Sequence, residues 1–221
     1  MKKIQKRIHQ DNRPPRQRLL DAAADLFYRH GIRAVGVEAI AEAAGTNKMT
    51  LYRHFASKDE LVAEYLRQRA QAVDESWEKI EQQHPGDARA QLSAWLKEMA
   101  SHLTCEHVRG CALANAAVEL PEKDHPARRV VEECKLAQAR RLAALCAAAG
   151  LREPDVLADE LALLIEGARI RAQSVGSDGV SERLLRMSEA IIGAHEASGN
   201  APARVCKPAS RSRVRPPWNA S

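Results

Sequence analysis

The stretch Gly45-Thr46-Asn47-Lys48-Met49-Thr50-Leu51-Tyr52-Arg53-His54-Phe55, continued by Ala56-Ser57-Lys58-Asp59-Glu60-Leu61, decides the fold. Leu51 and Phe55 stand one helical turn apart and point inward, while Lys48, Thr50, Tyr52, Arg53 and His54 are left on the surface of a short helix. Asn47 or Thr46 is suited to cap that helix, and Ser57-Lys58 opens the next one. Immediately upstream, Val37, Ile40, Ala41 and Ala44 repeat at i, i+3, i+4 and i+7, one face of a preceding helix that Gly45 closes as a left-handed cap. Two short helices joined by a tight glycine turn, the second bearing groups that bond phosphates and base edges, form a helix-turn-helix. That motif implies a DNA-binding head.

Residues 16–61 resemble, element for element, the amino-terminal domain of the TetR/AcrR-type transcriptional regulators. Arg16 to His30 is similar to the family's first helix, with Leu19, Leu20, Ala23, Leu26 and Phe27 on its apolar face and Gly31 at its end. Val37 to Ala44 is similar to the second, and Thr46 to Phe55 to the recognition helix. The resemblance implies that Lys48 reads bases, that Tyr52 and His54 grip the sugar-phosphate backbone, and that Lys58 contacts a phosphate. Thr50 offers a methyl suited to thymine, Arg53 is either a base contact or a solvated charge, and Thr46 and Asn47 frame the helix start. Where many relatives carry Thr or Ser, this chain has Gly36, which removes a hydroxyl contact and leaves Val37 as the second helix's candidate.

The 221 residues carry a net charge of +5, distributed unevenly. Residues 1–18 carry +6 and residues 197–221 carry +5, leaving −6 for residues 19–196. Basic arms displace condensed counterions from DNA and so add affinity without sequence information. The divisions expected are a basic disordered arm over 1–15, the head over 16–60, a helical regulatory and dimerisation domain over 61–197, and a basic disordered tail over 198–221. Few aromatics and abundant Ala point to an all-α fold of about nine helices. No run approaches the roughly 20 apolar residues of a membrane span, and the basic start lacks an apolar segment behind it, so a cytoplasmic location and no membrane partner are expected.

Beyond the head, helices are expected over Lys58 to about Gln83, Asp87 to Thr104, Gly110 to Leu120, Pro126 to Ala149, Pro154 to Val175 and Ser181 to about Ala197. In the last two, Leu157, Leu161, Leu164, Ile165, Leu184, Met187 and Ile191 are the candidate interface residues. The run Leu161-Ala162-Leu163-Leu164-Ile165 is apolar nearly all round, which demands cover on more than one side. Two such helices from each of two copies make a four-helix, twofold interface, and a homodimer matches what the resemblance implies. A dimer sets two recognition helices in successive major grooves of a palindromic double-stranded operator, about 34–36 Å apart.

The resemblance also implies a small-molecule effector held among helices five to eight, with Trp95, Met99, Leu103, Leu113, Asn115, Leu142 and Leu164 as candidate lining residues. No cofactor and no metal is expected. A metal- or thiol-sensing alternative rests on His102, Cys105, His107 and Cys111, with Arg109 near enough in sequence to lower a thiol pKa. An enzyme would need a base beside a nucleophile, such as His107 with Cys105 or Cys111. The chain has neither a phosphate-binding glycine loop nor a nucleophile elbow, so no catalysis is expected. The remaining alternative is a non-specific, architectural DNA binder.

Overall fold

The computed structural model describes residues 13–104 and 109–196. Among them are nine helices and no strand: α1 Pro15–His30, α2 Val37–Ala43, α3 Lys48–His54, α4 Lys58–Gln83, α5 Ala88–Ser101, α6 Ala112–Glu119, α7 Pro126–Ala148, α8 Pro154–Val175 and α9 Val180–Ala194. Both basic arms expected from the sequence lie outside the described residues, apart from residues 13–15 of the first. No helix among the described residues is long and apolar enough to cross a membrane.

The short helices of the head are held by their ends. At the α2–α3 turn, Thr46 N–H donates to Ala41 O (2.9 Å) and Gly45 N–H to Glu42 O (3.0 Å), the paired bonds of a Schellman motif. That motif needs a left-handed residue, and Gly45 supplies φ +62° without a Cβ penalty. Asn47 caps α3 by accepting from the Thr50 N–H at 2.9 Å. Ser57 does the same for α4 through Glu60 N–H at 3.0 Å, while Glu60 reaches back to the Ala56 N–H at 2.6 Å. The recognition helix therefore starts at Lys48, two residues later than its sequence pattern suggested, because Thr46 is consumed by the turn and Asn47 by the cap.

Burial follows the 3.6-residue period. Leu19, Leu20, Ile40, Leu51, Leu61 and Leu66 are fully buried, each contributing about 1.5–3 kcal/mol by leaving water. The core of the head does not stop at the boundary drawn near residue 60. It continues through Leu66 and takes in Leu113 and Ala116 of α6, Leu120 just beyond its end, and Ala127, Val130 and Val131 of α7. A second core, containing Trp77, Leu92, Leu96, Leu142, Leu157 and Leu161, joins the far half of α4 to α5, α7, α8 and α9. Helix α4 thus belongs to both.

The outward surface of α8 differs from the interface drawn on the sequence. Leu157, Leu161, Ile165 and Leu184 are at most 3 % exposed and lie in the chain's own core; Leu164 and Ile191 are half-buried against it. Of the seven candidates only Met187 is exposed, at 48 %. Besides Val175 at its last turn, the apolar side chains that α8 turns outward are Val156, Leu163 and Ile170, and these three form a pattern. They recur every seven residues, a single straight stripe on the helix opposite Leu157, Leu161 and Ile165.

Candidate nucleic-acid interface and the cavity behind it

Helix α3 turns Leu51 and Phe55, both at most 2 % exposed, into the head. The opposite surface carries Lys48, Met49, Tyr52, Arg53 and His54, all exposed. Met49, 73 % exposed, is the one member that sequence reasoning passed over, because methionine reads as a core residue. The signal was present: two residues before Leu51 is the far side of a helix. An exposed thioether beside cations suits the apolar methyl of thymine.

Each remaining candidate has a definite setting. Lys48 reaches back to Glu38 of α2 at 2.6 Å and lies 5.9 Å from the Tyr52 ring centre. The Lys48 hydrogen bond holds the Glu38 carboxyl below its usual range, and the same bond raises Lys48. Thr50 is half-buried, and its hydroxyl donates to Asn47 Oδ1 at 3.2 Å. Arg53 and His54 have no carboxylate partner among the described residues, so their side chains are available to an incoming phosphate. Lys58 is half-buried, donating from Nζ to Ile32 O at 2.7 Å, with its charge 6.0 Å from the Phe27 ring centre. It fastens α4 to the α1–α2 loop while keeping two N–H donors spare. Val37, 8 % exposed, turns its side chain into the core, leaving only its backbone N–H at the start of α2.

The frame beneath this surface is tied by Arg16. Its guanidinium lies 5.2 Å from the centre of the Phe55 ring and bonds Glu64 at 2.9 Å, joining α1, α3 and α4. Tyr65 packs against Phe27 with ring centres 5.7 Å apart, and burial pushes its hydroxyl up to about 12.

A cavity of about 940 Å³ opens behind the head, between α1, α4, α5, α6 and α8. Trp95, Met99, Leu103 and Leu113 line it. Asn115, Leu142 and Leu164 do not: Asn115 donates to Arg109 O at 2.6 Å, and Leu142 is sealed in the second core. Helix α6 forms one wall through Cys111, Ala112 and Leu113, and its far end holds the head. There Glu119 accepts from the Ile32 N–H at 2.6 Å and the Arg33 N–H at 3.1 Å. A second tie runs through Tyr28, whose hydroxyl accepts from Arg109 N–H at 2.9 Å and donates to Gly110 O at 3.2 Å.

Cys105 and His107 lie outside the described residues. Among the described residues no three His, Cys, Asp or Glu side chains are grouped to hold a metal. Cys111 is half-buried at the start of α6, and burial raises the Cys134 and Cys146 thiols, the latter to about 11.

A family model for bacterial regulatory proteins of the tetR family matches residues 19–65. Over most of its length the chain is similar to a tetR transcriptional regulator from Streptomyces avermitilis, with 31% identity and a TM-score of 0.74, covering 84% of this chain and 100% of that one. It is also similar to a TetR-family transcriptional regulator from Streptomyces coelicolor, at 28% identity and TM-score 0.78, covering 83% and 96% of the two chains. The HTH-type transcriptional repressor KstR2 of Rhodococcus jostii is 52% identical over 52 residues, 24% of this chain and 26% of that one, so this likeness spans about a quarter of the repressor.

Proposed function

This chain belongs to the tetR family of bacterial regulatory proteins, and from that premise we propose that it is a sequence-specific DNA-binding transcriptional regulator. It acts as an effector-responsive homodimeric repressor on a palindromic operator. The observation that carries this reading is the exposed surface of α3. Lys48, Met49, Tyr52, Arg53 and His54 combine charge, hydrogen-bond donors and an apolar group on one helix whose other side is locked into a core. A non-specific binder needs the charge alone. The varied chemistry supports base reading, with Tyr52, His54 and Lys58 on the backbone and Lys48, Thr50 and Arg53 toward base edges.

Repression is supported by the likeness to a named repressor over the matched residues. Pairing of two copies is supported by the outward stripe Val156, Leu163 and Ile170, an apolar surface that a monomer leaves in water. Effector response is supported by α6, which lines the cavity at one end and grips the α1–α2 loop with Glu119 at the other. A ligand that favours one setting of α6 shifts the head by its differential affinity for the two.

Selection of the purified protein against random DNA duplexes at near-physiological salt tests this function. Enrichment of one palindrome, with half-sites about 34–36 Å apart, is expected. Strongly salt-dependent binding with no enriched motif would overturn the regulator reading in favour of an architectural binder.

A further inference from the structure

The cavity has a wall and a charge of its own. Trp77 is 5 % exposed and stacks on Trp95 with ring centres 5.3 Å apart and planes 15° from parallel. Behind Trp77 lies Arg141, its charge 5.3 Å from the ring centre. Both indoles line the cavity, and their stacking holds Trp95 in a set orientation on the same lining as Met99.

Of the carboxylates on the lining, Asp21 is neutralised by Arg13, and Asp25 by Arg29 at 2.7 Å. Glu98 accepts from the Ser76 hydroxyl and has no cation among the described residues. Two arginines oppose it. Among the described residues the Arg69 guanidinium of α4 has the Tyr65 side chain as its partner, 5.6 Å from the ring centre. Arg169 of α8 bonds Glu166 at 3.2 Å, but Lys135 bonds the same carboxylate oxygen. Its second nitrogen points at the Met99 sulfur, 3.3 Å away. A thioether is a weak acceptor, so a guanidinium only 18 % exposed is left with a donor that a better acceptor can claim. One positive charge stands in excess once Glu98 is counted.

We propose, resting on the reading of this cavity as the effector site, that its ligand is a flat aromatic carboxylate: a monoanion with its ring along Trp95 and its carboxylate on Arg69 and Arg169. A cation meets two arginines, and a neutral ligand leaves the Arg169 donor on a thioether. The volume of about 940 Å³ admits a body of fused rings.

The test is calorimetric titration of the full chain with aromatic carboxylates of one to three fused rings, each paired with the primary alcohol and primary amine of the same ring. The best acid is expected to bind at least about tenfold more tightly than its alcohol and amine. Arg169→Gln and Arg69→Gln should each erase most of that preference while leaving the alcohol's affinity unchanged. Arg169→Lys, which keeps the charge, should retain part of it and serves if the glutamine variant melts early. An alcohol or amine that matches the acid would overturn the carboxylate assignment but leave the effector cavity standing. If no probe of any charge binds, the effector reading itself fails.

Discussion

Asn47 Oδ1 accepts from both the amide and the hydroxyl of Thr50, so one oxygen orders the first turn of a helix only seven residues long. A helix that short has no stability of its own. Asn47→Ala should cost about 1 kcal/mol, and Asn47→Asp little, read as a shift in urea midpoint with unchanged slope. Tyr65 gives the residue scale its pH signature. Its hydroxyl titrates near 10 when unfolded and at about 12 in the fold, so the folded state holds the proton more tightly. The resulting stabilisation is complete below pH 10 and lost as pH rises toward 12, about 2–3 kcal/mol in all. Chemical denaturation of the wild type and Tyr65→Phe between pH 9 and 12 should show the wild type losing stability relative to the variant as the pH rises; parallel curves would refute the burial argument. The cap at Asn47 was legible in the sequence because capping depends on neighbours along the chain. The Lys48–Glu38 pair, bridging two helices at 2.6 Å, was not, since nothing local links the two residues.

At the scale of elements, helix bounds were readable where a strong breaker marks them: α4 and α8 begin and end where Ser57-Lys58, His84-Pro85, Pro154 and Gly176 suggest, whereas α5 ends at Ser101 and α9 at Ala194, short of the expected Thr104 and Ala197. What periodicity cannot carry is a second job for a helix. Helix α6 lines the cavity and also anchors the head, through a carboxylate–amide contact between residues 87 positions apart. A larger residue at Gly31 would have to push the Glu119 carboxylate out of this contact. A Cβ there would sit 2.9 Å from Glu119 Oε2, on a backbone already at φ +89°. Glu119→Ala should free the Ile32 and Arg33 amides, speeding their hydrogen exchange at least about tenfold, and should blunt any effector response of DNA binding. Slow exchange retained at both amides would show that Glu119 does not hold the loop.

The described residues form two cores sharing α4, and α8 carries an exposed apolar stripe outside both. From the sequence, an all-round apolar helix implied two covers, and that inference did not depend on knowing which side faced which. The assignment of sides did depend on it. Leu161 and Leu163 are indistinguishable by composition, yet Leu161 is fully buried and Leu163 is 73 % exposed. The difference arises from how α8 rotates against α7 and α9, a tertiary choice with no local signal. It also separates two charge substitutions. Leu161→Glu buries a carboxylate without a partner and should unfold the body. Leu163→Glu places the carboxylate in water in a single chain and between copies in a pair. It should leave helical content unchanged, convert the protein to monomer in analytical ultracentrifugation at micromolar concentration, and weaken operator binding about a hundredfold by removing the second head. A Leu163→Glu protein that remains dimeric would mean that the copies meet elsewhere, and Val118 of α6, 83 % exposed, would become the next surface to charge.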